Sequence, residues 1–368
     1  MIRVMVVDDS ALVRKIATDI LSADAGISVV ATASQGEFAL QKLTREVPDV
    51  ITLDMEMPGM GGLETIRQIM AVQPTPIIVL SAHAARGANL TLQALELGAV
   101  DFVLKPSTSL SGGIPAIARE LVEKVRGAAR VDVHPQQTQS MPRETSALRL
   151  ASAVPPQIVR SDWTDGYDLV AIGTSTGGPV ALKTVLTELP ADLPVGVVVV
   201  QHMPPVFTKA FAERLDSCCQ VRVKEAENGD AILPGRVLLA PGNWHMTVSR
   251  FGGEPHVELN QDGSVNGHRP SVDVLMRSVA MEYGAQAIGV IMTGMGKDGA
   301  EGLRELHKRG GYIIAQDKES SAIYGMNREV VQTGNANVVV SVEAIAGRIQ
   351  ERLCVSLRGS RNETYAKR

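Results

Sequence analysis

Ser175 lies between glycines in Gly173-Thr174-Ser175-Thr176-Gly177-Gly178, directly after the apolar run Tyr167 to Ile172 and before a helical stretch, Pro179 to Leu189. A buried strand that turns sharply into a helix uses residues without Cβ at the turn and leaves the middle side chain pointing into the crevice above the sheet. The pattern matches G-x-S-x-G, in which the serine is a nucleophile and backbone N–H groups at the helix start face a developing oxyanion. Taken alone it also fits a glycine-rich turn or a phosphate cradle at a helix N-terminus. A serine hydroxyl attacks only when an imidazole takes its proton, and that imidazole needs a carboxylate to set its tautomer. His202 follows the β-branched run Val195 to Val200, and Asp298 sits in Thr293-Gly294-Met295-Gly296-Lys297-Asp298-Gly299, directly after the apolar run Ala287 to Met292. All three residues therefore fall at carboxyl ends of expected parallel strands, where an open sheet has its crevice. His245 and His268 are competing bases, Asp273 and Asp317 rival carboxylates, and Asp298 also fits an N-cap for a helix over Gly299 to Lys308.

A second set of reactive residues precedes these. Asp8 and Asp9 follow one apolar run, Asp54 a second, Ser81 a third and Lys105 a fourth. Singly they read as helix caps or turn residues. Carboxylates gathered at one sheet edge repel one another unless a cation joins them, and an all-oxygen cluster suits Mg²⁺. A metal-bound carboxylate beside a lysine can accept a phosphoryl group.

The elements that must hold these side chains alternate as strand and helix. Through the first 127 residues the runs Ile2 to Val7, Ser28 to Thr32, Val50 to Leu53, Pro76 to Leu80 and Val100 to Leu104 are separated by helical patterns at Ala11 to Leu21, Gly36 to Leu43, Leu63 to Ala71 and Asn89 to Leu97, with a last helix at Ile114 to Arg126. That is the grammar of βαβ units and a parallel sheet. Residues 128–165 lose the pattern in Gln136-Gln137-Thr138-Gln139-Ser140-Met141-Pro142 and Pro155-Pro156, the composition of a connector, although a short helical piece fits Glu144 to Ala151. Strand and helix resume over 166–355, with shorter turn-separated strands at Arg236 to Ala240, His245 to Ser249 and Pro255 to Leu259 that favour some antiparallel structure. A polar, basic stretch, 356–368, reads as a mobile tail.

The length, 368 residues, implies two α/β domains, and 45% hydrophobic residues suffice for two cores. A net charge of −4 and 3% aromatic residues argue against a nucleic-acid partner. No stretch reaches the length of a membrane helix and the N-terminus enters a strand pattern at once, so the expected location is cytoplasmic, without direct membrane insertion. Of three cysteines, Cys218 and Cys219 are adjacent, which gives neither a disulfide framework nor metal-ligand spacing.

Val6-Val7-Asp8-Asp9-Ser10, Leu53-Asp54-Met55-Glu56-Met57-Pro58-Gly59-Met60 and Val103-Leu104-Lys105-Pro106 resemble the receiver domain of two-component response regulators. The resemblance implies a flavodoxin-like five-stranded parallel sheet with Asp54 as phospho-acceptor. It makes Asp8, Asp9, Asp54 and the Glu56 carbonyl the Mg²⁺ site, Ser81 and Lys105 the phosphoryl contacts, and Phe102 the switching aromatic. Gly61 departs from the aspartate common there and is expected to alter the loop alone.

The order Ser, His, Asp differs from that of an ordinary α/β-hydrolase. Ile172-Gly173-Thr174-Ser175-Thr176-Gly177-Gly178, Gln201-His202-Met203-Pro204, His268-Arg269-Pro270-Ser271-Val272-Asp273 and Thr293-Gly294-Met295-Gly296-Lys297-Asp298-Gly299 resemble the catalytic domain of the chemotaxis protein-glutamate methylesterases, the CheB family. This implies a doubly wound, mostly parallel catalytic domain with Ser175, His202 and Asp298 as triad, Thr176 assisting, the Met295 N–H in the oxyanion hole and no cofactor at the esterase site. It further implies esters and glutamines on the cytoplasmic helices of methyl-accepting chemoreceptors as substrates, the histidine kinase CheA as phosphodonor, and low activity until Asp54 is phosphorylated. Two other classes frame this expectation. A DNA-binding regulator would carry a small, basic, helix-turn-helix output domain, and an interaction module would keep the fold without releasing methanol.

Overall fold

Every residue of β3 (Val50–Asp54) and of β4 (Ile77–Ser81) is buried, as strands become when helices cover both faces of a parallel sheet. They belong to a first domain, whose other elements are β1 (Ile2–Val7), α1 (Ala11–Ser22), β2 (Ile27–Ala33), α2 (Gly36–Glu46), α3 (Gly61–Val72), α4 (Ala85–Glu96), β5 (Asp101–Leu104) and α5 (Ile114–Ala128). The chain is seen in a computed structural model that describes residues 1–82, 85–105, 114–131, 133, 166–250 and 254–365. The parallel sheet has the order β2-β1-β3-β4-β5, so the chain steps to one side of β1 for β2 and to the other for β3, and the crevice lies over the carboxyl ends of the paired β1 and β3. Ser10 accepts from the Val13 N–H and caps α1 there.

The second domain contains β6 (Leu169–Thr174), α6 (Gly178–Thr187), β7 (Gly196–Gln201), α7 (Phe207–Cys218), β8 (Arg222–Glu225), β9 (Arg236–Leu239), β10 (His245–Ser249), β11 (His256–Asn260), α8 (Val272–Glu282), β12 (Ala287–Ile291), α9 (Ala300–Lys308), β13 (Tyr312–Gln316), α10 (Met326–Gln332), β14 (Val338–Val340) and α11 (Val342–Tyr365). Its seven-stranded sheet runs β14-β13-β12-β6-β7-β9-β8 with every pair parallel, while β10 and β11 form the antiparallel pair that the sequence led one to expect. β6 lies between β12 and β7; the chain runs from β6 outward through β7 and returns to the other side of β6 with β12. The crevice above β6 is where a site must form.

Three expectations need comment. Helix α4 begins at Ala85, one turn before the anticipated Asn89, because its first residues are polar or small and carry no apolar period. Helix α11 continues to Tyr365, so the backbone of the expected tail from 356 is helical to that point; buried Ile345, Ile349 and Leu353 anchor its first half at helical spacing. The helical piece proposed for 144–151 and most of the connector lie outside the described residues. Among the described residues, no helix is long and apolar enough to cross a membrane.

Candidate active site

Thr174 on β6 pairs with Gln201 on β7, so the next residues, Ser175 and His202, leave adjacent strands at the same level. The His202 N–H donates to the Thr174 carbonyl at 3.2 Å and extends that register by one bond. On the other side Gly173 pairs with Ile291, and the Ser175 N–H donates to the Thr293 carbonyl at 3.0 Å. The three strand ends therefore converge, as the sequence required of a triad. Gly177 takes φ +76° at the turn into α6, a conformation that disfavours a side chain, and a Cβ on Gly294 would lie 2.8 Å from the Ser175 Cβ. These two glycines let the serine turn and the Asp298 loop approach each other.

His202 Nε2 and Asp298 Oδ2 are 2.8 Å apart and both side chains are almost fully buried. The carboxylate holds the ring proton on Nε2 and leaves the Nδ1 lone pair for a neighbour. His202 Nδ1 is buried without a hydrogen-bond partner among the described residues, which is where a serine proton could go. Asp298 is itself fixed by Asn266 Nδ2, Ser271 Oγ and the Val272 N–H at 2.8, 2.8 and 2.7 Å. Burial alone would raise its pKa, but the hydrogen bonds from His202, Asn266 and Ser271 and the charge of His202 hold it well below the usual carboxylate range. It stays ionised wherever the imidazole works.

The rival bases and acids have other tasks. The His245 ring is within 3.2 Å of the Gly263 carbonyl, accepts from the Ser271 N–H and is buried. Asp273 accepts from Asn266 and from the Gly302 N–H, while Asp317 receives the N–H and hydroxyl of Ser320. His268 stacks on His202 with centroids 3.7 Å apart and ring planes 9° from parallel. Burial, and then the charge of His202, push its pKa down to about 4, so it lies neutral against the working imidazole. A histidine that charges more readily when unfolded weakens the fold on acidification: its contribution is whole above the ordinary value of about 6.5 and drains away toward pH 4. Chemical unfolding should lose about 2 to 3 kcal/mol between those limits on this account, and His268→Gln should flatten that part of the profile. An unchanged slope in the variant would contradict it.

At the first domain's crevice, oxygens of Asp8, Asp9 and Asp54 lie within 4.8 Å of one another. Lys105 Nζ reaches Asp8 Oδ2 at 2.9 Å and Asp54 Oδ2 at 2.7 Å. Burial raises the pKa of Asp8, with Asp54 adding repulsion, against the opposing pull of Lys105. The Glu56 N–H donates to Asp54 Oδ1 at 3.0 Å, which places the Glu56 backbone on the cluster. The Ser81 hydroxyl accepts from Thr91 Oγ1 on α4 at 2.8 Å and lies 3.3 and 3.5 Å from the Ala82 and Gly87 carbonyls.

The family model described as CheB methylesterase matches residues 170–349, and the response regulator receiver domain model matches 4–111. A protein of Symbiobacterium thermophilum named protein-glutamate methylesterase/protein-glutamine glutaminase is 45% identical over 95% of this chain and 96% of its own length. A second relative with that name, numbered 2, from Koribacter versatilis, is 46% identical over 94% of each chain. This chain belongs to the CheB methylesterase family. A crystal structure of the Thermotoga maritima CheB methylesterase catalytic domain is 41% identical and superposes with a TM-score of 0.50, covering 50% of this chain and 98% of that one.

The CheB architecture here brings the receiver onto the esterase crevice. Thr176 Oγ1, beside Ser175, donates to Asp101 Oδ2 at the start of β5. Phe102 is buried and stacks on Phe207 at the start of α7, with centroids 4.6 Å apart. Glu96 at the end of α4 binds Lys183 on α6 at 2.7 Å and the Arg214 guanidinium on α7. Burial would raise the Glu96 pKa, but Arg214 and Lys183 hold it below the ordinary value. On α5, a Cβ at Gly127 would fall 2.8 Å from Ile323 Cδ1 and 3.3 Å from the sulfur of Met295. Met295 thus lies in the loop that leads to Asp298, half-buried against the receiver, and its N–H makes no backbone hydrogen bond among the described residues. Asp101, Glu96, His268 and Asn266 were not singled out for these roles by sequence reasoning. For Asn266 the only local signal is the turn Val265-Asn266-Gly267-His268, closed by a two-residue bridge between Val265 and His268.

Proposed function

We propose that the chain is a phosphorylation-activated serine hydrolase that cleaves glutamyl methyl esters, and deamidates glutamines, on chemoreceptors. The observation that carries this reading is the His202–Asp298 pair, with His202 Nδ1 unpaired among the described residues and with Ser175 and His202 directly following the adjacent strands β6 and β7. Ser175 attacks the ester carbonyl while His202 Nδ1 takes its proton and Asp298 stabilises the imidazolium. Backbone donors, the Met295 N–H among them, receive the oxyanion. His202 returns the proton to methoxide, methanol leaves, and water activated by the same nitrogen hydrolyses the acyl-enzyme to glutamate and free serine. A primary amide follows the same course with ammonia as leaving group. Thr176 assists from the neighbouring position once Asp101 no longer holds its hydroxyl.

In the receiver, Asp54 accepts the phosphoryl group from the histidine kinase CheA. Asp8, Asp9, Asp54 and the Glu56 carbonyl would hold Mg²⁺, since a cluster of carboxylate oxygens is the donor set a hard cation takes. When bound, the ion supplies positive charge that offsets the crowded oxygens of the phosphorylated site. Lys105 binds the phosphoryl oxygens, and Ser81 reaches them by turning its hydroxyl from α4. Loss of the Lys105–Asp54 contact then alters β5 and α4, the elements that carry Asp101 and Glu96. The reaction is cytoplasmic, where receptor helices and kinase meet.

The test is to supply a receptor fragment methylated at glutamate and another bearing glutamine, and to assay methanol and ammonium. Both should appear, and both should rise on addition of a small-molecule phosphodonor unless Asp54 is replaced by alanine. Absence of either product in the stimulated chain would remove that activity from the proposal.

A further inference from the structure

Cys218 is the last residue of α7 and Cys219 follows it as the C-cap. Both are free thiols, Cys218 exposed and Cys219 half-buried against the core. Cys218 comes four residues after Arg214, so the two side chains share a face of the helix. Its sulfur lies 3.5 Å from the Leu215 carbonyl, back along the helix toward that arginine. Arg214 and Lys183 are the cations that hold Glu96 of the receiver, and α4, which carries Glu96, packs along α7. An accessible sulfur therefore stands at the rim of the contact that keeps the two domains together. The Cys219 thiol donates to it, and this bond, with the charges of Lys183 and Arg214, lowers the Cys218 pKa to about 7 against the opposing effects of burial and of Glu96. Roughly half of Cys218 is then thiolate at neutral pH, against a few per cent for an ordinary thiol.

We infer that Cys218 is a modification site for low-molecular-weight disulfides such as oxidised glutathione, and that the mixed disulfide formed there loosens the receiver from the catalytic domain. Its effect on activity rests on the phosphorylation-activated methylesterase reading above; the modification itself does not. The Cys218 thiolate attacks one sulfur of the disulfide, the old S–S bond breaks, and the other half leaves as a thiolate. Cys218 is oxidised and the departing half reduced, so no further oxidant enters. Cys219 stays protonated, its pKa raised by the bond to Cys218 and by burial, and its N–H is tied to the Leu215 carbonyl at 2.9 Å. It thus supports the thiolate without displacing the new group. A glutathionyl group brings two carboxylates and the bulk of a tripeptide to the α7 face that meets α4. Those carboxylates compete with Glu96 for Lys183 and Arg214, which shifts the closed-to-open balance toward the open arrangement without phosphorylation.

The full-length chain carrying Cys354→Ser, in which only the adjacent pair can react, is treated with oxidised glutathione at neutral pH and read by intact mass and peptide mapping. One glutathionyl adduct should form on Cys218 and be removed by dithiothreitol. Methanol release without phosphodonor should rise about fivefold in the adduct, the scale of one or two part-exposed ion pairs. The gain should shrink toward unity once a small-molecule phosphodonor has already displaced the receiver. Adding Cys218→Ser should abolish both the adduct and the rise. No adduct at Cys218, or an adduct that leaves basal release unchanged, overturns the inference. A gain of the same factor with and without phosphodonor places the effect on the catalytic domain alone and also overturns it. If the untreated chain releases no methanol even with phosphodonor, the methylesterase reading fails. Hydrogen exchange of α4 then decides the remaining point: faster exchange in the adduct upholds the loosening, and unaltered exchange overturns it.

Discussion

Asp298→Asn should lower methanol release by about 10³- to 10⁴-fold while the protein stays folded, the scale seen when a triad carboxylate loses its charge. Asp298 Oδ2 is the acceptor that keeps the proton on His202 Nε2, and Asp298 Oδ1 takes the Asn266 and Ser271 donors. An asparagine amide can still offer one oxygen, so the ring is not evicted; what is lost is the charge that stabilises the imidazolium. It also presents N–H groups to a site already supplied with donors, which favours the wrong tautomer at His202. Steady-state methanol release, with thermal unfolding as control, separates the two effects. A variant within tenfold of the native rate would show that the carboxylate is structural, a brace for the start of α8 through the Val272 N–H, since α9 itself is capped by Gly299 without a side-chain bond.

Loosening the receiver should have the opposite sign. The combined substitution Glu96→Ala, Asp101→Ala should raise methanol release in the absence of phosphodonor by about tenfold or more, at 1.4 kcal/mol per tenfold. Glu96 holds Lys183 and Arg214, and Asp101 holds Thr176, so the pair removes part-buried charge contacts and the hydrogen bond nearest the serine. Part-buried charge-assisted hydrogen bonds contribute about 1.5 to 3 kcal/mol each before relaxation, enough to shift a closed-to-open balance by that factor. Phe102 on Phe207 remains and adds only about 0.5 to 1.5 kcal/mol beyond its burial, so the double variant stays closed part of the time. A phosphodonor should then stimulate it by a smaller factor than the native chain. Unchanged basal release would mean that the receiver covers the crevice without restraining it.

The proposed triad was legible in the sequence because Ser175 and His202 directly follow buried parallel strands and Asp298 sits in the loop that leaves a third, and the carboxyl ends of such strands share one crevice. The acidic cluster and Lys105 were legible for the same reason. The strands β13 and β14 were not anticipated, since Tyr312–Gln316 and Val338–Val340 are short runs in which little periodicity can show. Nothing local marks Asp101 as a partner of Thr176, 75 residues later, because that bond exists only once two separate sheets dock. His268 was weighed as a base; its stacking on His202 depends on a turn whose path no periodicity records. The polar face of α11 hid its length, because helix propensity without an apolar stripe is a weak signal.

The central claim is that the Ser175 hydroxyl is acylated by a glutamyl ester with His202 as its base. Its most direct measurement is methanol released from a receptor fragment carrying labelled methyl esters, with the native chain and Ser175→Ala assayed side by side under phosphodonor. The native chain should release methanol steadily, and the folded variant should fall by at least about 10³-fold, toward the rate in buffer. A folded Ser175→Ala chain that releases methanol at anything near the native rate would contradict the account.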